Sequence, residues 1–79
     1  MKILFFAHLR KVTGCDEISL EPEAPLTGDA LWVHLLERFP GLSLHRPHVR
    51  LARNWEYTQT DTIYTRGDEI ALIPPVSGG

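Results

Sequence analysis

The most specific chemical pattern in this chain of 79 residues is its C-terminal end, Pro74-Pro75-Val76-Ser77-Gly78-Gly79. The two prolines fix φ near −65° and favour an extended course, so the segment leaves the body in a set direction. From Pro74 onward it spans roughly 20 Å at ~3.3 Å per residue. Gly78 and Gly79 carry no Cβ, so the last carboxylate fits a channel that any side chain would block. A carboxylate is by itself a poor electrophile and a poor nucleophile. As an acyl-adenylate it becomes a good electrophile, and attack by a sulfur donor then leaves a thiocarboxylate, a good nucleophile on a thin arm. Such chemistry asks no acid–base work of this chain's own side chains. Catalysis falls to partners, and the chain supplies the covalent intermediate.

The other reactive residues offer less. Cys15 lies in a turn with no motif to activate it and reads as a free structural cysteine. A single cysteine allows no internal disulfide. His45 and His48 share a proline-bounded loop without further ligands, too few for a metal site, so no metal is expected. His8 and His34 read as surface residues, and Arg66-Gly67-Asp68 as the turn before a strand. The net charge of −2 gives no basic stripe for a phosphate backbone, which argues against nucleic acid. No apolar run approaches the roughly 20 residues that span a bilayer, and the first ten residues are too short and too soon charged for a signal peptide. A cytoplasmic location is expected.

The elements that position the tail are legible from hydrophobic spacing. Ile3–Ala7 is wholly apolar and reads as a strand buried on both faces. Thr13-Gly14-Cys15-Asp16 supplies a turn, and Glu17–Glu21 alternates as a half-exposed strand, so the two predict an N-terminal hairpin. Pro22 and Pro25 end it. Thr27 or Asp29 caps a helix whose apolar residues, Leu31, Trp32, Leu35, Leu36 and Phe39, fall at i, i+3 and i, i+4 spacing. Pro40-Gly41 stops that helix, and Leu42–Pro47 reads as loop or a short helical turn. Val49–Asn54 predicts a strand that Trp55-Glu56-Tyr57 continues through a turn. Thr62–Thr65 and Glu69–Ile73 predict two more. One main helix must pack across the sheet to bury its stripe. The two most apolar strands belong at the centre, paired in parallel through a crossover. The fold class is therefore α+β, a β-grasp (ubiquitin-like) roll. A mixed sheet of four to five strands packs on one main helix in a single domain over 1–79, with 74–79 as an extended tail.

One helix covers one face of the sheet, yet both central strands are apolar on both faces. This predicts an exposed apolar patch near the C-terminal strand, the usual mark of a partner site, unless the 42–48 segment or the strand edges fold over it. Phe6, Leu72 and Ile73 are the expected contacts, and Trp55 reads as an exposed residue able to join the interface.

At both ends the residues are similar to a known family. Ile3-Leu4-Phe5-Phe6-Ala7-His8-Leu9-Arg10 resembles the first strand of the MoaD family, the small subunit of molybdopterin synthase. Gly67 through Gly79 looks like that family's C-terminal signature. Leu51-Ala52-Arg53-Asn54 resembles an internal segment, with Arg53 where a small apolar residue is commoner. The resemblance implies a sulfur carrier for molybdenum-cofactor biosynthesis. Gly79 would be adenylated by an E1-like (MoeB-like) enzyme using ATP and converted to a thiocarboxylate with sulfur from a donor such as a cysteine desulfurase system. The tail, Pro74, Pro75, Val76, Ser77 and Gly78, would then enter the large (MoaE-like) subunit of a heterotetramer that makes molybdopterin from cyclic pyranopterin monophosphate. It implies no cofactor bound by the chain itself. Thiamine-pathway carriers share the fold and the two glycines but suit Pro74-Pro75 less well, and a ubiquitin-like protein modifier stays open beside them.

Overall fold

The computed structural model describes residues 1–75. Five strands form the main sheet in the order β2-β1-β7-β4-β5: β1 Lys2–Phe5, β2 Glu17–Ser19, β4 Arg50–Arg53, β5 Glu56–Tyr57 and β7 Glu69–Ile73. A two-stranded ribbon pairs β3 (Leu26–Thr27) with β6 (Ile63–Tyr64). The main helix α2 covers Gly28–Arg38, and a short helix α1 covers Leu9–Thr13.

The central pair is parallel, as the two apolar runs require: Ile3 lies opposite Ile70 and Phe5 opposite Leu72. On the other side β7 runs antiparallel to β4, with Leu51 opposite Leu72 and Arg50 opposite Ile73. Ile3, Phe5, Ile70 and Leu72 face α2 and are closed to solvent, packing with Leu31, Trp32 and Leu35 of the helix. Burial of each such side chain contributes about 1.5–3 kcal/mol. Thr27 is the helix cap, its Oγ1 accepting from the Ala30 N–H at 3.1 Å. The fold is the β-grasp roll.

Two expectations change at the N-terminal hairpin. The strand ends at Phe5, not Ala7, and it is not buried on both faces: Lys2 is exposed and Leu4 only half buried. Ala7 takes φ 52°, the Leu9 N–H reaches back to the Phe6 carbonyl at 3.1 Å, and the chain coils into α1. Gly14, at φ 77°, ends that helix in the left-handed conformation that a Cβ disfavours.

After α2 the chain re-forms as 3-10 helix over Pro40–Leu44 and Arg46–His48. Leu42 is fully buried, and this segment packs on α1 and α2. It therefore lies on the helix side of the sheet and leaves the opposite face open. The segment after β5 is tied back by side chains. Tyr64 Oη donates to Thr58 Oγ1 at 2.7 Å, and Thr58 Oγ1 donates to the Leu51 carbonyl at 3.1 Å.

Candidate functional site

β7 is the middle strand of the sheet, held on both edges, and its ladder ends at Ile73 because Pro74 and Pro75 have no N–H to give. Pro74 is half buried and Pro75 exposed, so the chain emerges from the most constrained strand of the fold. Any segment that follows starts from a fixed root. Val76, Ser77, Gly78 and Gly79 lie outside the described residues.

Beside that root is an open bay of about 780 Å³. Phe6, Ala7 and His8 form its wall on the β1 side, Ile73, Pro74 and Pro75 the wall on the β7 side, and Trp55 also lines it. Phe6 is displayed there by the break after β1, with 37% of its surface exposed. Trp55 is 73% exposed, at the tip of the β4–β5 hairpin. Asn54 and Trp55 both have positive φ (51° and 71°), the type I′ geometry that suits the twist of a hairpin but favours Asn and Gly. A tryptophan in that conformation is strained. Among the described residues the bay has no acidic residue in its lining.

The uncovered face continues across the sheet. Leu4, Ala71, Ala52 and Tyr57 stand in one row over β1, β7, β4 and β5, on the side opposite α2. The two alanines sit low, 4% exposed, between taller neighbours, and Tyr57 is 54% exposed. Arg50, two residues before Ala52 on the same face, has its Cζ 3.8 Å from the centre of the Tyr57 ring.

Of the three expected contacts, the structure brings Phe6 and Ile73 together at this bay. Leu72 is a correction. It is 0% exposed, lies opposite Phe5 and Leu51, and packs in the core beneath α2, so no partner can reach it. Alternation along β7 puts Ala71 and Ile73, not Leu72, on the open face. Trp55, read from the sequence as an exposed residue of the interface, lines the bay, while Tyr57 and Arg50 join that face without having been expected there. Their signal was the strand parity of Arg50, Ala52 and the hairpin partner of Ala52.

The remaining candidates are elsewhere. His45 lies near His8, with ring centroids 5.2 Å apart, and no group of three potential metal-ligating side chains occurs among the described residues. Cys15 is half buried, its Sγ 3.8 Å from the Thr13 carbonyl oxygen. A second groove, of about 460 Å³, runs between the first turn of α2 and β4; its Arg46 is already paired with Asp29 at 2.8 Å. Among the described residues no helix is long and apolar enough to cross a membrane.

Comparison with known proteins bears on this geometry. The family model described as the ThiS family matches residues 3–79, from the first central strand through the terminal glycines. The chain belongs to the ThiS family. The resemblance to MoaD read from its two ends extends over its whole length. Within this family it is 39% identical over 79 residues to the molybdopterin synthase sulfur carrier subunit of Arabidopsis thaliana, covering 100% of this chain and 82% of that protein. It is 35% identical over 81 residues to the subunit of the same name from Haemophilus influenzae, covering 100% and 99%. Among solved structures, SAMP1 from Haloferax volcanii superposes with a TM-score of 0.85 at 30% identity, covering 100% of this chain and 98% of that one.

Proposed function

We propose that this chain is the sulfur-carrying small subunit of a molybdopterin synthase, acting in the cytoplasm through its C-terminal carboxylate. The observation that carries the reading is the full-length similarity, through the last glycine, to molybdopterin synthase sulfur carrier subunits. The tail root supports it: the central strand feeds two prolines directly out of the fold, beside an apolar bay.

In this reading Gly79 attacks the α-phosphorus of ATP on an E1-like partner and releases pyrophosphate. Hydrosulfide then displaces AMP to give the thiocarboxylate directly, or a persulfide donor displaces AMP to give an acyl disulfide that a thiol reduces to the thiocarboxylate. The thiocarboxylate enters the large synthase subunit. There it gives its sulfur to cyclic pyranopterin monophosphate as the dithiolene is built. The fold's part is mechanical. A root fixed by ladder bonds on both edges lowers the entropy lost when the tail is inserted, because fewer residues must be ordered. Glycines at the tip let the acyl carbon approach an enclosed site.

Deleting Gly79 tests this. The shortened chain should keep its circular dichroism spectrum and melting temperature while molybdopterin formation falls to background in an assay supplied with both synthase subunits, the activating enzyme and a sulfur source. Undiminished product from the shortened chain would rule the reading out. A second reading, covalent attachment to other proteins, is favoured by one observation, the TM-score of 0.85 to a chain named as a small archaeal modifier protein. It expects conjugates to lysines that survive denaturation.

A further inference from the structure

Arg50 stands out among the charged side chains of the uncovered face. Lys2, on the same face, has Glu17 at 3.8 Å. No carboxylate oxygen comes within ion-pairing distance of Arg50 among the described residues; its nearest recorded partner is the Tyr57 ring, 3.8 Å away. A guanidinium held on an aromatic ring keeps its planar fork of donors in a restricted orientation, which suits two-point recognition of a carboxylate.

Its position matters as much as its charge. Arg50 lies opposite Ile73 in the ladder, so it flanks the last residue before the two prolines. Cross-strand neighbours of this kind have Cα atoms about 5 Å apart. A protein that closes around Pro74 and Pro75 therefore comes within reach of Arg50. Removing an unpaired guanidinium from water is unfavourable unless the covering surface brings an acceptor of opposite charge. Among the described residues the apolar bay at the tail root contributes none, and Arg50 itself lines the groove beside α2, where the one carboxylate, Asp29, is already paired with Arg46. The chain as a whole carries a net charge of −2, so the basic character at the tail root is a local departure from its average.

We propose that the Arg50–Tyr57 stack is a carboxylate anchor for the protein that accepts the tail. That protein presents an acidic side chain to Arg50 from within an apolar surface that covers Phe6, Ile73 and Trp55. The inference rests on the sulfur-carrier reading for the identity of the acceptor, the large molybdopterin synthase subunit.

The test is calorimetric titration of the full chain with the large subunit of the same organism, at low and at high salt. Arg50→Gln should weaken binding about tenfold or more at low salt and flatten the salt dependence, because it removes a charge pair enclosed by the complex. Arg50→Lys should recover only part, since an ammonium lacks the planar fork. Arg50 is exposed, so both variants should keep the wild-type melting temperature. Binding of Arg50→Gln within twofold of wild type, or a loss equal at both salts, overturns the anchor. So does sedimentation showing that the wild type self-associates through this face and Arg50→Gln does not. If wild type makes molybdopterin and Arg50→Gln binds normally, the anchor alone has failed. If wild type neither binds nor supports product, the sulfur-carrier reading falls and the anchor with it.

Discussion

Truncating Leu72 and Ile73 separately weighs the two faces of β7 against each other. Leu72 is 0% exposed and packs between Phe5 and Leu51 in adjacent strands, under α2. Leu→Ala at a site that cannot collapse costs about 2.7–5 kcal/mol, the lost transfer energy plus the cavity left behind. For a domain of this size each kcal/mol lowers the melting temperature by about 4–8 °C, so Leu72→Ala should lower it by at least ~10 °C. Ile73 is half buried on the open face. Ile73→Ala exposes less new surface and leaves no enclosed void, and its cost should stay near 1 kcal/mol. Thermal and urea unfolding followed by circular dichroism measure both, with an unchanged denaturant slope as the sign that only stability has moved. Binding to the large subunit, corrected for the folded fraction, should reverse the order: Ile73→Ala weakens it and Leu72→Ala does not. If Ile73→Ala destabilises as much as Leu72→Ala, or Leu72→Ala costs less than about 1 kcal/mol, the assignment of faces is wrong.

Thr27→Ala should destabilise by about 1 kcal/mol through loss of the cap on the Ala30 N–H, and Thr27→Asp should restore most of it, both read from urea midpoints. Trp55→Gly should raise stability or leave it unchanged, because glycine accepts the left-handed conformation at φ 71° without strain, while binding to the large subunit weakens. A fall in stability above about 1 kcal/mol would mean that the indole packs in the free chain. Glu21 is held below its ordinary carboxyl value of 4.5, first by a hydrogen bond from Arg66, then by the charge of the N-terminal ammonium and by the charge of Arg66. A depressed value in the folded state means a stabilising contribution that is present above the unfolded pKa and is lost as pH falls through the folded one. Carboxyl titration by NMR should therefore find the Glu21 midpoint below 4.5 in the wild type and higher in Arg66→Ala. Identical midpoints would remove the ion pair from the account.

The parts of the fold that were legible in the sequence are those in which one periodicity dominates. The stripe Leu31, Trp32 and Leu35 marked α2, the choice of Thr27 or Asp29 bracketed its start, and the two short apolar runs marked the parallel central pair. The helix α1 was hidden because its five residues bury only Leu9, too little for a 3.6-residue signal to register. The β3–β6 ribbon pairs only two residues on each side, and no local pattern specifies so short a contact. The same limit applies to the site. Alternation grouped Ile70 with Leu72 and Ala71 with Ile73, but which pair faces the helix depends on register with Ile3 and Phe5, which is a tertiary fact. Alternation already set Phe6 apart from Phe5, but the break at Ala7 with positive φ, which displays Phe6 beside the tail root, is a conformation no alanine advertises. The open second face was foreseeable from counting one long helix against two apolar faces. Closure by the 42–48 segment was one alternative, and Leu42 decided against it by burying itself on the helix side.

The most direct measurement is the intact mass of the chain after incubation with ATP, an E1-like activating enzyme and a sulfur donor, followed by fragmentation to locate the change. The account predicts a gain equal to the difference between sulfur and oxygen, confined to the fragment ending in Gly79 and dependent on ATP. A gain of one whole sulfur on the fragment containing Cys15, with the Gly79 fragment unaltered, would contradict it.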